Sequence, residues 1–103
     1  MASEKTPFGS PVELEINGEL DLHTFRPSEL APLLKDYIDE CRAQGILSLR
    51  IIHGKGHGVL RKRVHHLLEK SPLVRSFRLA PPNAGGWGAT LVELKPPAAS
   101  PDF

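Results

Sequence analysis

Hydrophobic positions along this chain of 103 residues follow a strand-like alternation at first and a helical repeat later. Residues 12–16 alternate apolar and acidic side chains, Asn17-Gly18 supplies a turn, and residues 19–23 alternate again. An Asn-Gly pair between two alternating runs is a strong signal for a two-residue hairpin turn. The pattern therefore predicts two antiparallel strands near the start of the chain.

Two amphipathic helices are predicted further along. The first spans about residues 27–43, where apolar side chains recur with the spacing of one helix face, and Gly45 supplies a stop. Pro32 either lies in its first turn or kinks it. The second spans about residues 58–70 and ends before Pro72. The predicted inner faces consist of Leu30, Leu34, Tyr37, Ile38, Cys41, Leu60, Val64, Leu67 and Leu68.

Three further strands are predicted at residues 47–52, 74–79 and 89–94, with an eight-residue loop before the last. The first of them ends in a continuous apolar run, which favours burial on both faces. The order β-β-α-β-α-β-β predicts a two-layer α/β sandwich. Its mixed four-stranded sheet has a βαβαββ core and an extra N-terminal hairpin strand, with two helices packed on the sheet.

Composition agrees with one globular domain, since 40% of the residues are hydrophobic and 24% are charged. The domain is expected at residues 11–94, between loose tails over residues 1–10 and 95–103. The single Cys41 excludes an internal disulfide and a thiol-based zinc site. No signal peptide and no membrane-length apolar run are visible, so the expected compartment is the cytoplasm, without a membrane partner.

Charge is distributed unevenly along the chain. Residues 1–45 carry nine acidic and four basic side chains, for a net −5, whereas residues 46–82 carry one acidic and eight basic side chains, for a net +7. This asymmetry is typical of a protein with one polyanion-binding face. The alternative interpretation is a dipolar, solvated surface without a ligand.

A glycine-rich loop, residues 53–58, joins a predicted strand to a predicted helix that begins with basic residues. Glycine permits positive φ and close approach of the backbone to a ligand, so successive N–H groups can converge on an anion at the helix N-terminus. The spacing matches neither a Walker A loop nor a dinucleotide-binding fingerprint. The alternative to phosphate binding is a tight turn without a ligand. The predicted phosphate-binding residues are Gly54, Lys55, Gly56, His57, Gly58, Arg61, Lys62 and Arg63.

Two polar strand ends are predicted to lie at one edge of the sheet. If the strands at 19–23 and 47–52 are parallel, Asp21 and His23 at the end of one lie beside His53 at the end of the other. Open α/β sheets bind ligands outside such carboxyl ends. This edge is therefore the predicted site.

A second loop, which contains Gly86, Trp87 and Gly88, precedes the last strand. It reaches the same edge only if that strand runs antiparallel to the strands at 19–23 and 47–52, which we predict. Glycines on both sides leave the indole ring accessible. The ring either stacks on a nucleobase or covers the sheet edge.

Asp21, His23 and His53 are the candidate catalytic residues. Asp21 and His23 are two positions apart and so project from one strand face, where a carboxylate fixes the tautomer of an imidazole. The alternatives are a polar outer face and a metal site formed by these three residues. His65 and His66 are expected to be ordinary surface residues of the second helix.

The motifs that carry these residues resemble those of the Smr (small MutS-related) domain. Residues 20–23, Leu-Asp-Leu-His, resemble its opening L-D-L-H-G motif, although Thr24 stands where the glycine is usual. Residues 53–61 look like its H-G-K-G-x-G-x-L-R signature, and residues 77–90 resemble its closing segment. The resemblance covers about residues 19–94, with three motifs in the right order.

The Smr resemblance implies a two-layer sandwich like the C-terminal domain of a bacterial translation initiation factor, nucleic-acid binding and, in several members, endonuclease activity. The chain looks like the stand-alone bacterial type, and Asp21 and His23 match the family's candidate catalytic positions. The expected function is cleavage of phosphodiester bonds in RNA or in branched or nicked DNA. His23 and His53 would exchange protons, or Mg²⁺ or Mn²⁺ would be held at Asp21 and His23.

Two alternatives to the endonuclease follow from the same features. One is a non-catalytic module that docks on nucleic acid or on the ribosome through the basic loop and helix. The other is a protein-interaction domain that uses the N-terminal hairpin as an exposed edge. The oligomeric state is left open.

Overall fold

The computed structural model describes residues 16–97, in which strands and helices follow one another as βαβαββ. The strands are β1 (Glu19–Asp21), β2 (Ser48–Ile52), β3 (Val74–Leu79) and β4 (Ala89–Leu94), and the helices are α1 (Leu30–Ala43) and α2 (Val59–Lys70). The predicted tail at 1–10, the hairpin strand at 12–16 apart from its last residue, and residues 98–103 lie outside the described residues.

The sheet has the strand order β1-β2-β4-β3. β1 pairs with β2 in parallel, and β4 runs antiparallel to both β2 and β3. The mixed four-stranded sheet and the reversed direction of the last strand are both confirmed. Neither helix of the described part is long and apolar enough to cross a membrane.

Helix α1 resolves the ambiguity over Pro32. A 3₁₀ turn, Pro27–Glu29, precedes the helix, which places Pro32 in the first α-helical turn. A backbone N–H has no intrahelical partner there, so proline is tolerated without a kink. At the other end Gly45 adopts a left-handed φ of 79°, and the N–H of Ile46 donates to the Cys41 carbonyl at 2.8 Å. Gly45 therefore ends the helix as predicted.

Both helices pack against one face of the sheet, and the hydrophobic core lies between the two layers. Leu20, Ile51 and Thr90 are aligned across β1, β2 and β4, and all three are buried. Since side chains alternate along a strand, the neighbouring positions point to the other face. The helix residues buried against the sheet are Leu30, Leu33, Leu34, Tyr37, Ile38, Cys41, Val64 and Leu68.

On the second face of the sheet, residues 16–97 cover β2 only in part, so the prediction that residues 47–52 are buried on both faces is wrong. Ile52 is only half-buried, and Arg50 on the same face forms an ion pair with Glu19 and donates to the Ala84 carbonyl at 3.0 Å. An exposed ion pair of this kind is typical of a solvated face, where both charges remain in contact with water. The apolar run of β2 thus serves one helical layer.

Strand β1 is held in place by Tyr37 of α1. The buried Tyr37 hydroxyl accepts a hydrogen bond from the N–H of Gly18 at 3.1 Å and donates to the Glu19 carbonyl at 3.2 Å. Gly18 has a φ of 91°, a conformation that side chains rarely adopt. This contact fixes where the strand that carries Asp21 begins.

The end of the described chain is also held against the domain. The N–H of Lys95 donates to the Leu73 carbonyl at 2.9 Å, and Arg42 donates to the carbonyls of Lys95 and Pro96 at 2.8 and 3.1 Å. The first two residues of the predicted C-terminal tail are therefore anchored beside the end of α1.

Candidate nucleic-acid interface

Three segments meet at the carboxyl edge of β1 and β2. The N–H of Leu22 donates to the Ile52 carbonyl at 2.9 Å, which extends the pairing of the two strands past Asp21. The Gly88 carbonyl accepts from the N–H groups of His53 and Gly54 at 3.0 and 2.8 Å. These bonds bring the end of β1, the glycine loop (residues 53–58) and the loop before β4 together, as the sequence predicts.

The candidate catalytic residues share this edge but lie on opposite faces of the sheet. His53 is on the helix face, because it is two positions beyond the buried Ile51 and bonds Thr90. Asp21 and His23 are exposed and lie opposite the buried Leu20. The structure therefore brings Asp21 and His23 together and directs His53 away from them.

Asp21 and His23 form a pair at the surface. Asp21 Oδ1 accepts a hydrogen bond from the backbone N–H of His23 at 3.0 Å and lies 2.9 Å from His23 Nδ1. The backbone bond first, and the ring second, hold the pKa of the Asp21 carboxyl below its usual value. The His23 side chain is 76% exposed, so Nε2 is the ring nitrogen left to meet a ligand.

His53 is buried in a chain of hydrogen bonds that the sequence does not reveal. Its Nε2 lies 2.8 Å from Thr90 Oγ1, its Nδ1 lies 3.2 Å from the Gly54 carbonyl oxygen, and Thr90 Oγ1 lies 2.7 Å from His65 Nε2. The His65 ring also packs on Phe77, with 5.0 Å between ring centroids. The expectation that His65 is an ordinary surface residue is wrong, because it faces the sheet.

The hydrogen-bond partners of His53 and His65 determine which of their ring nitrogens carry protons. A carbonyl oxygen only accepts, so His53 Nδ1 carries the proton that it shares with Gly54. The neutral ring accepts at Nε2 from the Thr90 hydroxyl, which leaves the Thr90 oxygen to accept from Nε2–H of His65. Burial lowers the pKa of both histidines below the ordinary 6.5, and the nearby charge of Arg61 lowers it further.

This burial makes stability sensitive to acid. In the unfolded chain both histidines bind protons near pH 6.5, whereas in the folded chain they do so only at lower pH. The free energy of unfolding is therefore expected to fall as pH drops from about 7.5 to about 5.5. His65→Gln is expected to flatten this slope, as measured by urea unfolding across the pH range. His66→Gln is the matched control, because His66 is exposed at the adjacent position. Equal flattening by both variants would contradict the assignment.

The glycine loop combines two constrained glycines with one unconstrained glycine. Gly54 and Gly58 both have a φ of 83°, in the left-handed region, and a Cβ added at Gly58 would lie 2.8 Å from Arg61 Nη2. Gly56 has no positive φ, and a Cβ there would meet nothing within 4 Å. The fold requires Gly54 and Gly58, whereas Gly56 leaves open space at the surface beside His57, which is exposed.

Four cations surround the loop and the first turns of α2. Lys55 and Lys62 are exposed, Arg61 and Arg63 are half-buried, and none of them forms an ion pair with a carboxylate in residues 16–97. Gly58 caps α2 without a side-chain acceptor for the first N–H groups of the helix. Uncompensated cations beside such a helix start create a positive potential that attracts anions.

Trp87 lies beside these cations. Its side chain is 58% exposed, and Lys55 Nζ lies 5.6 Å from the ring centroid, within the range of a cation–π contact. The loop before β4 thus presents an aromatic surface next to the glycine loop.

The model of one protein family, the Smr domain, matches residues 20–95 of this chain. The chain belongs to the Smr family. The matched segment contains all of β1 except its first residue and the rest of the described fold up to Lys95. The resemblance carried by the three motifs is confirmed.

Curated relatives of this Smr domain are much longer proteins. The chain is 43% identical over 79 residues to the endonuclease MutS2 of Carboxydothermus hydrogenoformans, an alignment that covers 77% of this chain and 10% of the relative. It is 40% identical over 96 residues to the endonuclease MutS2 of Geobacillus thermodenitrificans, covering 91% and 12%. The chain thus spans about a tenth of the length of these relatives.

Two solved structures share the Smr fold. The crystal structure of the Smr domain of Thermus thermophilus MutS2 superposes with a TM-score of 0.73 at 39% identity, covering 78% of this chain and all of that domain. The stand-alone small MutS-related protein YdaL of Escherichia coli superposes with a TM-score of 0.70 at 28% identity, covering 76% and 64%. The predicted two-layer architecture is therefore that of known Smr domains.

The sequence did not predict that Thr90 and His65 join His53 in one hydrogen-bonded network. A usable signal existed for His65, since it follows Arg61 by one helical turn and flanks the buried Val64. As for metals, residues 16–97 contain no group of three or more histidine, cysteine, aspartate or glutamate side chains placed to hold an ion. Asp21 and His23 would need further ligands from a substrate and from water.

Proposed function

We propose that this Smr domain binds nucleic acid through the surface formed by the glycine loop, the first turns of α2 and the Trp87 loop. The observation that carries the proposal is the set of cations around the glycine loop, which lack carboxylate partners among the described residues. Regularly spaced phosphates are a natural ligand for such a surface, and an adjacent aromatic ring suits nucleobases. The name of the relatives, endonuclease MutS2, supports the same class of ligand.

We further propose that the domain cleaves phosphodiester bonds in RNA or in branched or nicked DNA, with His23 as general base. Asp21 accepts from Nδ1–H of His23, so the neutral ring has its lone pair on the exposed Nε2. This nitrogen would take the proton of the attacking 2′-hydroxyl or water as the new P–O bond forms, and the oxygen that leaves as the old P–O bond breaks would take a proton from solvent water. The lowered pKa of Asp21 keeps that carboxylate charged, which stabilises the imidazolium that forms.

The glycine loop and its cations would stabilise the phosphate during attack. Lys55 is exposed at the loop, and Arg61 lies against Gly58 at the start of α2. Both would offset charge that develops on the non-bridging oxygens. Both ring nitrogens of His53 are already engaged with Gly54 and Thr90. We therefore assign to His53 the task of holding the loop, and proton exchange to His23 alone.

A metal-dependent version of the reaction uses the same surface differently. The Asp21 carboxylate would hold Mg²⁺ or Mn²⁺ together with oxygens of the substrate and water, and the ion would supply an activated water. His23 would then orient Asp21 through their shared hydrogen bond. On RNA the products distinguish the versions, because attack by a 2′-hydroxyl leaves a cyclic phosphate and attack by a metal-bound water leaves a 5′-phosphate. On DNA, which has no 2′-hydroxyl, the requirement for a metal distinguishes them.

The test is a parallel assay of binding and cleavage. The protein is incubated with end-labelled single-stranded RNA and with branched DNA, in EDTA and in Mg²⁺ or Mn²⁺, and the product ends are identified. Cleavage in EDTA, with cyclic phosphate ends on the RNA substrate, supports the acid–base version. Cleavage only with metal, with 5′-phosphate ends, supports the metal version. Tight binding with no cleavage of either substrate overturns the enzyme proposal and leaves a binding module.

A non-catalytic module for structured nucleic acid or the ribosome is the second candidate. It is favoured by the engagement of both His53 nitrogens, which leaves His23 as the one exposed imidazole that is paired with a carboxylate among residues 16–97. Thr24, in place of the usual glycine of the first motif, points the same way. Under this alternative the wild-type protein and His23→Ala bind nucleic acid with the same Kd, and neither of them cleaves it.

Salt dependence tests the binding surface directly. Lys55→Ala and Lys62→Ala are each expected to reduce the slope of log Kd against log salt by about 0.9 on duplex DNA and about 0.7 on single strands, because one phosphate contact is lost. Fluorescence anisotropy across a salt series measures the slope. Lys70→Ala is the control, since Lys70 is an exposed lysine in the last turn of α2. Equal changes in all three variants would mean that the contact surface is not localised.

A further inference from the structure

A cavity of about 360 Å³ lies beside the glycine loop and outside the groups used for cleavage. Its walls come from the glycine loop, the end of β3 and the loop before β4. The lining residues are Lys55, Leu79, Ala80, Pro82, Gly86 and Trp87. We propose that this cavity is a subsite for one unpaired nucleobase of the bound strand, an inference that rests on the proposed nucleic-acid binding.

Two large hydrophobic side chains that line the cavity are exposed rather than buried. Trp87 is 58% exposed and Leu79 is 41% exposed. Among residues 16–97, only Val59 is a further large hydrophobic residue of comparable exposure, and it does not line the cavity. Two exposed hydrophobic side chains that line one cavity indicate a contact surface, whereas single exposed hydrophobic residues scattered over a protein do not. A planar, largely apolar group is the ligand that fits between them.

The backbone that carries Trp87 is held in place by the turn before β4. Gly85 and Gly86 are both left-handed, with φ of 112° and 56°, which turns the chain sharply ahead of the ring. The N–H of Gly86 donates to the Pro81 carbonyl at 2.9 Å, and the N–H of Gly88 donates to the Gly85 carbonyl at 3.1 Å. Because this backbone is already ordered, less conformational freedom is lost when a ligand stacks on the ring, which favours binding.

The cavity shares a wall with the glycine loop. A Cβ added at Gly88 would lie 3.1 Å from Lys55 Cγ and 3.5 Å from the carbonyl carbon of Gly54, so the two loops pack in direct contact. Lys55 Nζ lies at the Trp87 ring on one side of this contact. A phosphate on the glycine loop and its own or the next base in the cavity would therefore be neighbours on one strand.

The chemistry of the walls selects an unpaired base over other ligands. A base inside a duplex is stacked on both sides and cannot insert between Trp87 and Leu79, whereas a bulged, looped or single-stranded base can. An apolar peptide side chain would suit the walls but not the cluster of cations beside Lys55. The subsite thus directs the domain to nucleic acid with unpaired positions.

Trp87 is the single tryptophan of the chain and reports on this cavity directly. Three labelled ligands are compared on the intact protein: a duplex with a one-nucleotide bulge, the same bulge with an abasic residue, and the fully paired duplex. We expect the bulged base to quench Trp87 fluorescence and to bind roughly 5- to 150-fold more tightly than the abasic bulge, the gain typical of one stacked base. Anisotropy of the label gives Kd for all three.

The outcomes separate the subsite from the proposed function. Equal Kd values for the three ligands, with unchanged Trp87 fluorescence, overturn the subsite while nucleic-acid binding stands. Failure to bind any ligand overturns the proposed function and the subsite together. Leu79→Ser is expected to remove the preference for the bulged base without changing Kd for the paired duplex. Leu79→Met is the matched control, because it keeps an apolar side chain of similar volume at the same position and is expected to retain the preference.

Discussion

Replacing His23 with alanine is expected to lower the rate of phosphodiester cleavage by about 10²- to 10⁴-fold, the usual contribution of a positioned general base. Kd for uncleaved nucleic acid is expected to change little, because the proposed phosphate contacts come from the glycine loop and α2. The variant should fold normally, since the His23 side chain is 76% exposed and bonds only Asp21 among the described residues. Single-turnover cleavage and anisotropy on the same substrate measure the two effects.

The pH profile separates a base from a residue that merely supports the site. A general base contributes an ascending limb to the pH–rate profile, and we expect that limb to be absent in His23→Ala. Asp21→Asn is expected to slow cleavage as well, because a neutral amide no longer stabilises the imidazolium. His66→Ala is the control, an exposed histidine of α2 away from the Asp21 pair. Unchanged cleavage in His23→Ala would refute the role.

The helices were predictable because their apolar residues must meet one flat sheet. Leu30, Leu34 and Ile38 recur at intervals of one helical turn, and burial of this stripe is the main stabilising term for a helix. Gly45 was readable as the stop because few other residues adopt a φ of 79°. Pro32 was undecided, since the pattern does not say whether the first turn begins two residues before it or five.

The sequence predicted the sheet edge at which the candidate residues lie, but it did not predict which face of the sheet each of them occupies. Ile51 and Ile52 are both apolar, so the sequence did not tell which of them points to the helices. His53 shares the face of Ile51, and a shift of one residue would have placed it beside Asp21. The register, which is set by packing across three strands, decides that His53 turns inward.

Substitution of Thr90 is expected to have a large effect on stability, because its hydroxyl is the shared hydrogen-bond partner of two histidines. Thr90→Val keeps the shape of the side chain and removes the hydroxyl that lies 2.8 Å from His53 Nε2 and 2.7 Å from His65 Nε2. His53 is only 6% exposed, so water does not easily replace the lost donor. A buried acceptor left without a partner costs about 1–3 kcal/mol, and we expect the free energy of unfolding to fall by at least that amount.

Thr90→Ser identifies the hydroxyl as the cause. Serine keeps the oxygen and loses only a methyl group, so its loss of stability in urea unfolding should be clearly smaller than that of valine. The ¹⁵N shifts of the imidazole rings are expected to show a neutral Nδ1–H tautomer for His53 in wild type and in Thr90→Ser, and a mixture in Thr90→Val. Equal destabilisation by valine and serine would instead assign the effect to packing of the methyl group.

Thr90→Val also tests whether the buried hydrogen bonds of His53, Thr90 and His65 support the proposed nucleic-acid surface. His53 Nδ1–H holds the Gly54 carbonyl, and Gly54 opens the glycine loop, so a His53 ring that has lost Thr90 no longer fixes the direction of that loop. We expect Thr90→Val to weaken nucleic-acid binding under conditions in which the variant remains folded, and Thr90→Ser to restore it. A valine variant that is less stable yet binds with wild-type Kd would confine the network to stability, because the loop would then keep its shape without the hydrogen-bonded chain.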